Sequence, residues 1–107
     1  MSDPILVNVT EEIVRGLVSF LLRGPEYQTF CKCEMCELDT VALTLNALPS
    51  KYVTSMAARD EAFRVMNTPE NIERINREII HALHVVNKHP RHKEEPTSIG
   101  AAPQKLE

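Results

Sequence analysis

Residues 29–53, TFCKCEMCELDTVALTLNALPSKYV, set the terms for the whole chain. All three cysteines, Cys31, Cys33 and Cys36, fall within six positions and lead straight into residues that favour helix as far as Pro49. Proline has no N–H to donate and clashes with the carbonyl four residues back, so a helix begun in the cysteine cluster ends at Leu48. Met35, Leu38, Val41, Ala42, Leu45 and Leu48 recur at three- and four-residue spacing, which predicts that they form the buried stripe of that helix. The following LPSKYVTS, residues 48–55, reads as a turn or short extended link.

On the N-terminal side, a helix is predicted over residues 9–23. Asn8 stands at the cap position with Glu11 where a capping box needs it, and Glu12 lies near the positive end of the helix dipole. Ile13, Leu17, Phe20 and Leu21 share one stripe, which Val14, Val18 and Leu22 widen beyond what one small domain readily covers. That excess places Val14, Val18 or Leu22 near a two-fold dimer interface. Gly24-Pro25 ends the helix.

On the C-terminal side, residues 56–67 read as a short helix with Ala58, Ala62, Val65 and Met66 inward. The last helix has the clearest start, with Thr68 as N-cap, Pro69 at the first helical position and Glu70 in the first turn. Ile72, Ile75, Ile79, Leu83 and Val86 then face the core to about Lys88. No stretch shows the alternation of a strand. The expected fold class is all-α, a small bundle of about four helices forming a two-fold homodimer. Residues 1–93 make the domain, and residues 94–107 a flexible tail too poor in apolar side chains to order itself.

The 107 residues are 43% hydrophobic and 25% charged, with no tryptophan, as expected of one soluble domain with an aliphatic core. No apolar run is long enough to span a bilayer, and the first residues lack a basic signal region, so no membrane association and a cytoplasmic location are expected. A net charge of −3 argues against coating a nucleic-acid polymer but permits a local basic site for a small phosphorylated ligand. The basic residues at 87–93, NKHPRHK, read as a solvated end to the last helix. The chain shows no Ser/His/Asp arrangement and no glycine-rich phosphate loop among its three glycines, which argues against an enzyme.

The cysteines follow the pattern C-x-C-x2-C. A helix starting near Cys33 sets Cys33 and Cys36 one turn apart on one face, with Cys31 approaching from the loop. Three thiolates then converge on one ion beside a helix N-terminus. Zn2+ is the expected cation, because it accepts tetrahedral thiolate and imidazole ligands. A closed site needs a fourth donor, and His92 is favoured over His89; His81 and His84 read as helix-surface or core-edge residues. A redox pair of Cys33 with Cys36 and simple packing of three small side chains are the other readings.

CKCEMCELDTVALTLNALPSKYVTS, together with the later EIIHALHVVNKHPRH, resembles the late-competence ComFB family. The combination covers most of residues 9–92 in the right order, and its parts gain specificity together. The resemblance implies a small helical homodimer that binds zinc in its cysteine-bearing members and has a signalling role. Cyanobacterial relatives without the cysteines, which keep the Leu-Asn-x-Leu-Pro-x-x-Tyr segment, act as receptors for cyclic dinucleotides, cyclic di-GMP above all. On that footing Lys51, Tyr52, Thr54, Ser55 and Arg59 are candidate ligand residues for cyclic di-GMP or cyclic di-AMP, with an unidentified protein as the downstream partner. Tyr52 would stack on a base, Lys51 and Arg59 would meet phosphate, and Thr54 and Ser55 would donate hydrogen bonds. Against this, Tyr52 reads equally as a core aromatic and Asn46 as a helix-end residue bonded to backbone. The sequence also departs from many members at Ser50 and at residues 56–61, where a second proline and a glycine are common.

Overall fold

The computed structural model describes residues 3–90; the expected tail at 94–107 lies outside them. Four helices carry the fold: α1 (Val9–Leu22), α2 (Glu34–Asn46), α3 (Met56–Met66) and α4 (Pro69–Lys88). A single 3-10 turn, Pro25–Tyr27, lies between α1 and α2. Two strands of two residues each, β1 (Val7–Asn8) and β2 (Tyr52–Val53), pair antiparallel with Val7 opposite Val53 and Asn8 opposite Tyr52. The expectation of a four-helix fold holds. The ribbon is an addition, because four residues are too few to show alternation in a sequence.

Three of the four helix starts are capped by side chains. Thr68 accepts from the Asn71 N–H at 3.3 Å, Ser55 from the Ala58 N–H at 3.1 Å, and the Cys33 thiol from the Cys36 N–H at 3.4 Å. The expected capping box of α1 does not form. Asn8 instead turns its side-chain oxygen to the Lys51 N–H at 2.9 Å, while the Val9 N–H donates to the Lys51 carbonyl at 2.7 Å. The Thr10 hydroxyl donates to the Pro49 carbonyl at 2.9 Å. The link after α2 is thus bonded to the start of α1, and the Ile5 N–H donating to the Thr54 carbonyl at 3.2 Å extends the ribbon.

The core lies where α2 packs against both α1 and α4. Ile75, Ile79, Leu83 and Val86 are buried on α4 as expected. Val14 and Val18 are 0% exposed and Leu22 1%, so they are central core residues and cannot form a dimer interface in this fold. The broad apolar face of α1 is consumed inside one chain, which packs α2, α4, α3 and the ribbon against this helix. Phe20, assigned to the inner stripe, is instead 75% exposed.

Helix α2 departs furthest from its periodicity. Its buried face is Cys36, Thr40, Val41 and Thr44, while Met35, Leu38, Ala42 and Leu43 face out. The Thr40 hydroxyl donates to the Cys36 carbonyl at 2.9 Å, and the Thr44 hydroxyl to the Thr40 carbonyl at 2.8 Å. Both polar groups are satisfied within the helix, so the two threonines enter the core as small branched side chains. In α3 only Ala62 is fully buried and Met66 is half-buried; Ala58 and Val65 face outward. Truncating Ile79 in the core should therefore cost about 2–5 kcal/mol in Ile79→Ala by urea unfolding, as for other buried aliphatic residues.

Candidate functional site

The segment leading to the cysteines is fastened before the thiols are reached. Tyr27 is buried, and its ring meets Phe30 edge-on with centroids 5.0 Å apart. Phe30 in turn meets His84 of α4 at 5.4 Å, so the two aromatics tie the loop to α4. The Lys32 ammonium donates to the carbonyls of Tyr27 at 2.7 Å, Gln28 at 3.2 Å and Phe30 at 3.2 Å. It thereby clamps the segment that follows the 3-10 turn, whose Tyr27 carbonyl also accepts the Phe30 N–H at 3.1 Å. Sequence reasoning missed these anchors, although an aromatic at 27 and another at 30, just before the first thiol, signal them.

Beyond that anchor, Cys31 is exposed, Cys33 half-buried and Cys36 buried, and their sulfurs lie within 4.8 Å of one another. Tetrahedral zinc with sulfur at about 2.3 Å needs neighbouring sulfurs about 3.8 Å apart. The donor set fits after a contraction that side-chain rotation can supply. The Cys36 N–H bonded to its sulfur holds the Cys33 thiol below its ordinary 9.0. Burial, followed by hydrogen bonds to Cys31 and Cys33, pushes Cys36 up to about 12. The cluster thus joins a thiol whose charged form is favoured by a backbone N–H to a buried one whose charge is disfavoured, a cost that a bound cation would offset.

A cavity of about 90 Å3 adjoins the thiols, lined by Cys31 and Cys36, by Phe30, Leu22, Leu83 and Val86, and by Pro90. His92, the expected fourth ligand, lies outside the described residues. Among the described residues no histidine joins the thiol group: His81 is exposed, His84 packs on Phe30, and His89 is exposed at the α4 cap.

The other candidates lie at the far end of α2. Tyr52 is 61% exposed; it is not the core aromatic that the sequence also allowed, and Val53 takes the buried position. Asn8 and Tyr52 are partners in the ribbon and share its outer face, and alternation puts Leu6 and Thr54 there too. Leu6 is 72% exposed and was missed by sequence reasoning. Lys51 is exposed, with its backbone engaged by Asn8 and Val9. Ser55 is occupied as the cap of α3, and Thr54 is exposed. Arg59 does not continue a helix from Tyr52, since a strand and a cap intervene. Its guanidinium donates to Glu12 at 2.8 Å and to Asp60 at 3.0 Å, and it lies 5.9 Å from the Phe63 ring centroid. The structure brings these five residues to one end of the molecule but already neutralises one of its two cations.

The family model for the late competence development protein ComFB matches residues 7–90. Among solved structures, the late competence protein ComFB from Bacillus subtilis superposes with a TM-score of 0.68 at 22% identity, covering 80% of this chain and 94% of that one. That likeness speaks for the fold. None of the curated proteins matches the chain.

Two outcomes follow from the thiol cluster. Cys36→Ser should lose bound metal and melt at lower temperature than the parent, because metal-binding free energy is partly folding free energy; elemental analysis and thermal melts check both. In the metal-free chain, Cys36 is raised above its unfolded value. Its contribution to stability is therefore full below pH 9 and lost as pH climbs towards about 12. Urea midpoints measured across that range should fall for the parent and fall less for Cys36→Ser.

Proposed function

The chain belongs to the ComFB family, and from that premise we propose a non-enzymatic regulator that holds zinc, works as a homodimer, binds a cyclic dinucleotide and signals to a protein partner in the cytoplasm. Cys31, Cys33, Cys36 and His92 would hold the zinc. Pro90 lines the cavity shared by Cys31 and Cys36, and two residues of chain reach at most about 7 Å further. When bound, zinc supplies a redox-silent cross-link between the loop and α2, and four protein ligands leave no open position for catalysis.

The observation that carries the receptor reading is the exposed ring of Tyr52, which offers a stacking platform for a purine. Around it, Lys51 brings a cation, and Thr54 and Ser55 bring hydroxyl groups. The first turn of α3 contains no acidic residue, so the positive end of its dipole is not offset there. Arg59 would meet a phosphate by releasing Asp60, which is far more exposed than Glu12. A two-fold assembly would present the same donors to each half of cyclic di-GMP or cyclic di-AMP. The dimer reading now draws on the exposed apolar side chains Phe20, Met35, Leu38 and Leu43.

The same outer face of α2 favours a second reading, a zinc-stabilised adaptor that docks a protein partner without any nucleotide. Calorimetry separates the two. A receptor should give heat with cyclic di-GMP or cyclic di-AMP, and Tyr52→Ala should weaken binding by about 1–3 kcal/mol. Because the ring is exposed, the melting temperature and zinc content should hardly change. No heat with either nucleotide would leave the adaptor. Light scattering tests assembly: the parent should be a dimer at micromolar concentration, and Leu38→Glu a monomer.

A further inference from the structure

We propose that Cys33 and Cys36 are a redox-modification site, joined in a disulfide by a peroxide while Cys31 remains a thiol. The pairing stands on the thiol geometry. The accompanying release of metal rests on the zinc reading above.

All three sulfurs lie within 4.8 Å of one another, so proximity alone does not choose the pair. The backbone does. Cys33 is the N-cap of α2 and its sulfur accepts the Cys36 N–H at 3.4 Å, which holds it against the turn that carries Cys36. Residues three apart at a helix start have α-carbon spacing suited to a disulfide, and a change of side-chain rotamer closes the remaining gap. Pairing Cys31 with Cys33 would instead pinch the chain at Lys32, whose ammonium is held on three carbonyls of the preceding segment. Pairing Cys31 with Cys36 would draw the loop that carries Cys31 onto the buried first turn of α2, against the Tyr27–Phe30–His84 anchor that holds the loop on α4. Within this pair Cys33 is half-buried and Cys36 buried, so peroxide meets Cys33 first.

The chemistry balances. The Cys33 sulfur attacks one oxygen of the peroxide, the O–O bond breaks and hydroxide leaves, giving a sulfenic acid. The Cys36 sulfur attacks the Cys33 sulfur, the S–O bond breaks and the second hydroxide leaves. With the two thiol protons, one hydrogen peroxide becomes two waters and two thiols become one disulfide. Two of the three thiolate donors are then lost, and Cys31 with His92 would leave zinc only two of its four ligands.

The test uses the full chain as purified, treated with hydrogen peroxide, alkylated with N-ethylmaleimide and digested with trypsin. Cleavage after Lys32 puts Cys31 in one peptide and Cys33 with Cys36 in the next, ending at Lys51. The second peptide should lack two hydrogens and carry no maleimide, while Cys31 is alkylated. A chromogenic chelator should take up zinc in step with the disulfide. Cys31→Ser should still form the disulfide, and Cys36→Ser should leave Cys33 as a sulfenic acid trapped by dimedone. A cross-link between the two peptides, or maleimide on all three thiols, overturns the proposal. A chain purified without zinc would count against the metal reading and leave the disulfide to be scored on its own.

Discussion

Two hydroxyl hydrogen bonds inside α2 set the geometry on which everything else rests. Thr40 and Thr44 each donate to the carbonyl four residues back, so a polar pair enters the core with no unmet donor. Their small branched side chains then line the face that α2 presents to the core, between α1 and α4. Turning this face inward sends Met35, Leu38 and Leu43 outward and puts Cys36 on the buried side of the first turn. The orientation of the thiol cluster and the exposed apolar surface are two consequences of one rotational setting.

With α2 so placed, its ends become the two places of chemical interest. The thiols gather at its start, against the last turns of α4, and the ribbon bearing Tyr52 follows its end. Helix α2 is thirteen residues long, about 20 Å at 1.5 Å per residue. A metal at one end and a nucleotide at the other would therefore not share a side chain. They would share α2 itself, and the bonds from residues 49–51 to Asn8, Val9 and Thr10 link that helix to the start of α1.

The sequence was most legible where a residue has one local use. Thr68-Pro69 marked the start of α4, Pro49 stopped α2, and the cysteine spacing announced a helix-borne cluster. It was least legible where one residue type can serve two ends. Threonine counts as polar in a periodicity, yet its hydroxyl can be satisfied on its own helix. Met35, Leu38 and Ala42 of the stripe read for α2 therefore lie on its outer face, while Val41, Leu45 and Leu48 do join the core. Asn8 was a plausible cap, but the Lys51 N–H arriving from 43 residues away competed for the same oxygen. Val14, Val18 and Leu22 looked surplus to one domain because α1 packs on α2 and α4 as well as on α3 and the ribbon, and covers drawn from so far along the chain could not be foreseen from one helix. Arg59 was read as an available cation because its partner Glu12 lies 47 residues earlier.

The central claim is that the thiol cluster, closed on a metal, fastens the loop before α2 to that helix and to α4. Amide hydrogen exchange of the metal-loaded and metal-free chain measures this directly. Metal removal should strip protection from the loop at residues 25–33 and the first turns of α2, while the middle of α4 around Ile79 keeps its own. Equal protection throughout, with and without metal, would contradict the account.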